Sequence, residues 1–447
     1  MTEHNDYLER LDDLMAKAKK AGADAADAIM VSGVSLDVSR RLGETEHLER
    51  SEGFDVGLRV LVGQKQAIVS SSDLSPTGLS DLPSRAVTMA KSVPDDPYCG
   101  LAEPELLARE IADLDMCDGF EPPAETLLEW ANEAEEAALA VSGVTNSEGG
   151  QASWGLSTIA LAATNGISHG YQRSSFSIAA SVLAGEGTGM ERDYDYTSVV
   201  HAEDLEGAAQ VGQSAGNRAV RRLNPRRPET AQVPVVYHPR VSGSLIGHLA
   251  SAVNGSAVAR GTTFLKDKMG KRIFADSITI TDDPLRRRGL RSKPFDAEGV
   301  ATTRRNIIEN GELTTWILDL GTARQLGLQT TGNASRGTSS PPGPSTTNLY
   351  LQAGKLTPQE LMADIGSGFY VTELIGFGVN MVTGDYSRGA AGFRIVNGER
   401  AGPVAEITIA GNLVAMFRAL TPADDLAFHR AVNVPTLRIE GMMVASA

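Results

Sequence analysis

Seven histidines and two cysteines supply the soft donors a transition metal would need: His4, His47, His169, His201, His238, His248 and His429, with Cys99 and Cys117. A zinc hydrolase uses two histidines about one helical turn apart, a third ligand, and a glutamate nearby as base. No two of these histidines lie three to five residues apart. His238 and His248 come closest, ten residues apart, with a strand end and a helix start between them. A site built from His238, His248 and a carboxylate such as Asp385 would have to be assembled by the fold; the plainer reading is scattered surface and packing histidines. Other catalytic scaffolds are missing. Met269-Gly270-Lys271 has no upstream glycine-rich loop to cradle phosphate, and Gly376-Phe377-Gly378 lacks the third glycine of a dinucleotide fingerprint.

What stands out instead is a glycine-dense β segment, TGDYSRGAAGFRIVNGERAGPVAEITIAGNL from Thr383 to Leu413. Glycines this close together mark backbone that bends, or that another chain approaches where a side chain would clash. A groove for an extended peptide needs such a surface, because main-chain hydrogen bonds hold a substrate with little regard to its side chains. Gly376, Gly378, Gly384, Gly389 and Gly392 would permit that approach, and Asp385, Tyr386, Ser387 and Arg388 lie among them. The same glycines would equally serve tight turns or close packing between subunits. Asp385 and Arg388, three apart, could form a loop ion pair or take part in binding.

This block resembles the signature region of the TldD/PmbA family, on its PmbA (TldE) side. Three further segments agree: SKPFDAEGV from Ser292, TTGNASRG from Thr330, and VTELIGFGVNMVTGDYSRG from Val371. The matches span most of the C-terminal half, and the N-terminal half is similar in layout. In the TldD branch a His-Glu-x-x-x-His helix supplies two zinc ligands and the base, and a distant cysteine completes the site. The similar segment here is Leu245–Gly255, and laid without gaps it puts Gly247 at the first His, His248 at the Glu and Ala252 at the second His. Glycine and alanine offer no lone pair, and no cysteine follows Cys117. The resemblance therefore implies a chain with no catalytic residue and no metal of its own. It would act as a subunit of a cytoplasmic heteromeric zinc metalloprotease, with the zinc in a TldD-type partner and extended or unfolded peptides as substrates. The Gly384–Gly392 block is the expected groove or interface. A self-sufficient peptidase and a non-proteolytic regulator are the rivals, the latter in line with older descriptions of the family as modulators of DNA gyrase. Whether the isolated chain self-associates stays open.

Composition sets the outer bounds. At 447 residues the chain exceeds one ordinary core, and its 41% apolar and 22% charged content is that of a globular protein. A net charge of −15 disfavours nucleic acid as a partner. Two arginine clusters run against that charge: Arg218, Arg221, Arg222, Arg226 and Arg227, then Arg286, Arg287, Arg288 and Arg291. They read as solvated linker and loop charge. Two cysteines, separated by seventeen residues, give no disulfide framework and fit a reducing compartment. No window is apolar enough for a membrane helix, and the charged start has no leader-like apolar region.

These residues must be positioned by an α+β chain of two domains, 1–225 and 230–447. Residues 6–21 carry a helical apolar stripe on Leu8, Leu11 and Met15, ended by Gly22. Strand-like runs follow at 28–31, 34–40, 55–62 and 66–70, then a helix at 81–93. The order recurs: a helix at 124–141, strands at 153–163, 167–183 and 191–199, and a helix at 205–223. This predicts two helix–strands–helix units sharing one sheet. Asn224-Pro225-Arg226-Arg227-Pro228 breaks the chain. Beyond it the pattern is β-rich, with a strand at 233–237, a helix at 242–254 and another at 357–365, and hairpins at Asn310-Gly311 and Asn397-Gly398. The stretch 336–347, RGTSSPPGPSTT, reads as a mobile loop.

Overall fold

The computed structural model describes residues 3–446, as an α+β chain. Helix α1 (Glu3–Ala21) leads into strands β1 (Ala25–Arg41), β2 (Glu44–Val62) and β3 (Lys65–Ser71), then helices α2 (Pro76–Ser80) and α3 (Leu82–Ser92). Helix α4 (Ala124–Leu139), strands β4 (Val144–Ala163), β5 (Ser168–Ala184) and β6 (Glu191–Val199), and helix α5 (Ala208–Arg221) repeat the motif. All six strands form one sheet, ordered β3-β2-β1-β4-β5-β6, and the two units meet where β1 runs antiparallel to β4. Each unit has its own core. Leu11, Leu14 and Ala18 of α1 and Leu82 and Ala86 of α3 cover Met30, Leu58 and Val60. Leu127, Ala131, Ala134 and Ala138 of α4 meet Trp154, Phe176 and Val182 with Ala215 and Ala219 of α5.

The strands are longer than the sequence pattern suggests. Residues 44–55 are exposed throughout, so no apolar alternation marks them, yet they pair with β1 across a two-residue turn at Leu42-Gly43. Both turn residues have positive φ, 51° and 85°. The ladder is held there by backbone bonds rather than a buried face.

The C-terminal half opens with strand β7 (Ala231–Tyr237) and helix α6 (Pro239–Ala252). Strand β7 runs parallel to the strand Ser367–Ile375, which pairs with Asp385–Val396, which pairs with Glu399–Asn412. The strand Leu437–Ser446 pairs with both β7 and Glu399–Asn412, closing a ring of five strands. A second sheet is built on Ile280–Asp282, Arg305–Glu309 and Leu349–Leu351. Asn310-Gly311 and Asn397-Gly398 both turn hairpins with positive φ, as predicted, although the strand after Asn310-Gly311 is only Glu312–Leu313. The predicted helix near 357 is Pro358–Met362, capped by Thr357 and Glu360.

Two junctions tie the halves together. At the first, Asp27 of β1 is buried between Arg59 of β2 and Arg336 of the C-terminal half. That contact corrects the expectation of a mobile loop at 336–347. Arg336 is buried, and the carbonyl of Thr338 lies so close to Gly57 that a side chain there would collide with it. Beneath it sit Asp296 and Glu298, both buried; Asp296 accepts backbone bonds from Glu298, Val300 and Ala334, and Glu298 accepts one from Leu320. At the second, Arg288 meets Asp115 at 2.7 Å, Glu203 at 2.6 Å and Asp204 at 3.0 Å, and Arg286 lies over the Phe428 ring at 3.4 Å. These two arginines are structural rather than solvated.

Burial, reinforced by the facing Asp296 charge, pushes Glu298 up to about 8, and burial pushes Asp296 up to about 6. The folded protein therefore holds protons that the unfolded chain releases, so this contribution is complete below about pH 4.5 and is lost as pH rises through about 8. Glu298→Gln should flatten the fall in denaturation midpoint between pH 5 and 8; an unchanged slope would mean that the pair does not titrate in this window.

Candidate functional site

Helix α6 starts where Pro239 occupies its first turn and the His238 side chain caps it, Nδ1 accepting from the Arg240 amide at 3.1 Å. Val241, Leu245, Ile246, Leu249 and Ala252 face the core, packing with Val235, Tyr237 and Val371 of the strand ring. The helix ends at Val253, and Asn254 caps the short helix that follows. The open face carries Gly247 and the exposed Ser251, whose hydroxyl donates back to the Gly247 carbonyl at 3.1 Å.

The three positions singled out on this helix therefore face different surroundings. Gly247 has open space where a side chain would go, while Ala252 is fully buried. His248 packs edge-on against Tyr386, ring centroids 6.1 Å apart, and its buried Nε2 has no hydrogen-bond partner among the described residues. Burial, and then the charge of Arg388, lowers its affinity for a proton. Beneath it the hydroxyls of Tyr237 and Tyr386 meet at 3.4 Å inside the ring.

One neutral imidazole with a free nitrogen is a single metal donor. Among the described residues no three of His, Cys, Asp and Glu lie close enough to hold a metal. The side chain of His4 lies outside the described residues. His238 and His248 sit at opposite ends of α6, separated by about 15 Å of helix rise. Asp385 is turned elsewhere, accepting from Thr383 Oγ1 at 2.6 Å and Asn412 Nδ2 at 3.1 Å, contacts that hold its carboxyl below the usual range. The alternative site of His238, His248 and Asp385 is thus not assembled, and the residues present do not fit a zinc ion. Asp385 and Arg388 do not pair either: they point to opposite faces of one strand, and Arg388 donates to the Ile375 carbonyl instead.

The glycine block is largely explained by this chain's own packing. Gly392 lies opposite Val371 at a bulge, where an added Cβ would stand 1.9 Å from the Tyr370 carbonyl oxygen. At Gly389 the neighbour would be Ile375, at 3.2 Å. Gly384 turns the chain with φ of 81°. Next to them is an open depression lined by Phe377, Gly378, Val379, Asn380, Asp385, Tyr386 and Ser387. Its rim is apolar: Phe377 is 99% exposed, Val382 59% and Ile375 58%. Sequence reading passed over Phe377, whose only mark was its place between two glycines.

The comparisons fit this layout. Three family models match in series: PmbA/TldA metallopeptidase domain 1 over residues 26–90, the central domain over 117–223, and the C-terminal domain over 230–446. Metalloprotease PmbA of Escherichia coli O157:H7 is 38% identical over 425 residues, spanning 95% of this chain and 92% of its own. The chain belongs to the PmbA/TldD family, on its PmbA branch. Another PmbA-type relative, the Metalloprotease PmbA homolog of Haemophilus influenzae, is 36% identical and spans 96% of this chain and 93% of its own. A Bacteroides thetaiotaomicron protein named for modulation of DNA gyrase superposes with a TM-score of 0.91 at 26% identity, over the whole of both chains. TldE of Thermococcus kodakarensis shares the fold, with a TM-score of 0.88 at 20% identity over 98% of this chain and all of its own. Relatives on the PmbA branch thus carry the name of metalloprotease, although here the helix α6 positions hold no convergent ligands.

The two glycine environments predict opposite effects. Gly392→Ala should cost at least the ~1–3 kcal/mol typical of overpacking. Gly247→Ala, in a helix with room for the methyl, should add about 0.5–1 kcal/mol. Chemical denaturation of both variants checks the pair, and a neutral Gly392→Ala would refute the packing account.

Proposed function

We propose that this chain is the non-catalytic subunit of a two-protein zinc metalloprotease that cleaves extended or unfolded peptides in the cytoplasm. A TldD-type partner holds the metal. The observation that carries this reading is helix α6, where the positions similar to a zinc-binding motif are an open glycine, an imidazole packed on a tyrosine, and an alanine in the core. The apolar rim of Ile375, Phe377 and Val382 beside that helix is the surface offered to the partner. An obligate interface of this kind buries roughly 2,000 Å² or more. Helix α6 keeps a glycine at position 247 facing open space, at a cost of about 1 kcal/mol, as expected where another chain comes close to the backbone.

Mixed with a TldD-type protein, the chain should form a stable hetero-oligomer more active on an unfolded peptide than either component. Phe377→Asp or Gly247→Leu should weaken assembly at least tenfold without lowering the thermal midpoint of the isolated chain. Full activity of the metal-bearing protein alone, unaffected by this chain, would refute the reading.

Purified alone, the chain should carry no stoichiometric zinc by elemental analysis. The triple variant Gly247→His, His248→Glu, Ala252→His should gain little, because position 252 faces the core and no third ligand stands near. A triple variant binding about one zinc per chain would show that the site is less dismantled than the geometry implies.

A further inference from the structure

At the other end of α6 a cleft of about 430 Å³ lies between the two halves, a volume in the range of ligand sites. Helix α5 contributes Arg218, Arg221 and Arg222, the start of α6 contributes Arg240, and Arg400 comes from the strand Glu399–Asn412. Three of the first cluster's arginines, read from sequence as solvated charge, thus share one concavity with two others far away in the chain. Asp193 is the single carboxylate in the lining.

Three of the five guanidiniums are neutralised by the protein. Arg218 meets Asp195 at 2.6 Å, Arg222 meets Glu373 at 2.5 Å and Glu191 at 3.3 Å, and Arg240 meets Asp193 at 2.5 Å. Arg240 also lies over the Tyr194 ring at 3.9 Å. The other two are not matched. Among the described residues Arg221 has no partner, and Arg400 only faces the Tyr370 ring at 4.9 Å. His238 adds no charge at neutral pH: burial, and then Arg218, Arg240, Arg400 and Arg430, depress it to about 3. In a protein of net charge −15, this is a local site of uncompensated positive charge.

We infer that this cleft binds a carboxylate of an extended peptide, held between Arg221 and Arg400. Arginine's fork suits a carboxylate, and pairing there is charge-assisted on both sides. The remaining walls favour a peptide over a bare ion: Phe393, Ala401 and Pro403 are apolar. Thr372 lines the cleft at the bulge where the register skips from Val371 to Glu373, leaving that residue out of the ladder. The choice of a peptide rests on the proteolytic reading above; the positive cleft does not.

The test is fluorescence-anisotropy binding to the isolated chain. The probes are a labelled Glu/Gly octapeptide amidated at its C-terminus, its Gln/Gly counterpart, and the Gln/Gly octapeptide with a free C-terminal carboxylate, with inorganic phosphate as a separate arm. The Glu peptide should bind, and Arg221→Gln with Arg400→Gln should raise its Kd by about ten- to hundredfold. Neither residue holds a protein carboxylate, so the variant should keep its thermal midpoint. Arg221→Glu with Arg400→Glu should reverse the preference toward a Lys/Gly octapeptide. Binding of the free-carboxylate Gln peptide would support the same site with the chain terminus as the source. Equal binding of the Glu and amidated Gln peptides, an unchanged Kd in the double variant, or phosphate binding more tightly than any peptide would overturn the inference. If it fails while the assembled pair still cleaves a carboxylate-free peptide, the cleft is disproved and the subunit reading stands.

Discussion

The buried ion cluster of Arg59, Asp27 and Arg336 is the contact on which the arrangement of the halves depends. One carboxylate at 3% exposure serves two guanidiniums, one from its own sheet and one from the C-terminal half. Burial alone would raise the Asp27 carboxyl; Arg336 and Arg59 overcome it and hold the carboxyl below its usual range. Such a cluster is not a large source of net stability, but removing one member leaves an uncompensated buried charge, which costs roughly 3–5 kcal/mol. It therefore acts as a register pin. Only one docking of the C-terminal half onto the sheet puts Arg336 against Asp27, and that docking also sets the walls of the arginine cleft.

Helix α6 translates that docking into chemistry. Its N-terminus faces the positive cleft and its C-terminal turns face the Tyr386 ring and the apolar rim. The same 14 residues thus separate a polar, charge-selective region from an apolar one. Among the described residues no three metal donors gather on α6.

Much of this could be read from residue order, for identifiable reasons. The alanines and leucines of α4 recur at helical spacing because each buries against the sheet, so pattern and packing carry the same information. Residues 44–54 did not read as a strand because neither face is buried, and only the ladder with β1 holds them. Gly392 was legible as a place of close approach, but not as an approach by this chain's own Tyr370 carbonyl. Arg221 and Arg400 are 179 positions apart. Their convergence is a property of the docked halves, which no local window contains. The absence of a lone pair at Gly247 and Ala252 was visible in the sequence; that the first faces open space and the second lies in the core was not.

The five-stranded ring has a consequence for how the protein is made. Strand β7 is synthesised some 200 residues before the strand Leu437–Ser446 that pairs with it and closes the ring against Glu399–Asn412. The N-terminal sheet needs nothing beyond α5 to bury its two cores and can be complete while synthesis continues. The ring cannot be, because its sealing strand follows its partner β7 by about 200 residues. Until then β7 and the strand Glu399–Asn412 present open edges of the kind that recruit other strands. For this chain the interval between translating residue 237 and residue 446 is the period of greatest exposure to misassembly.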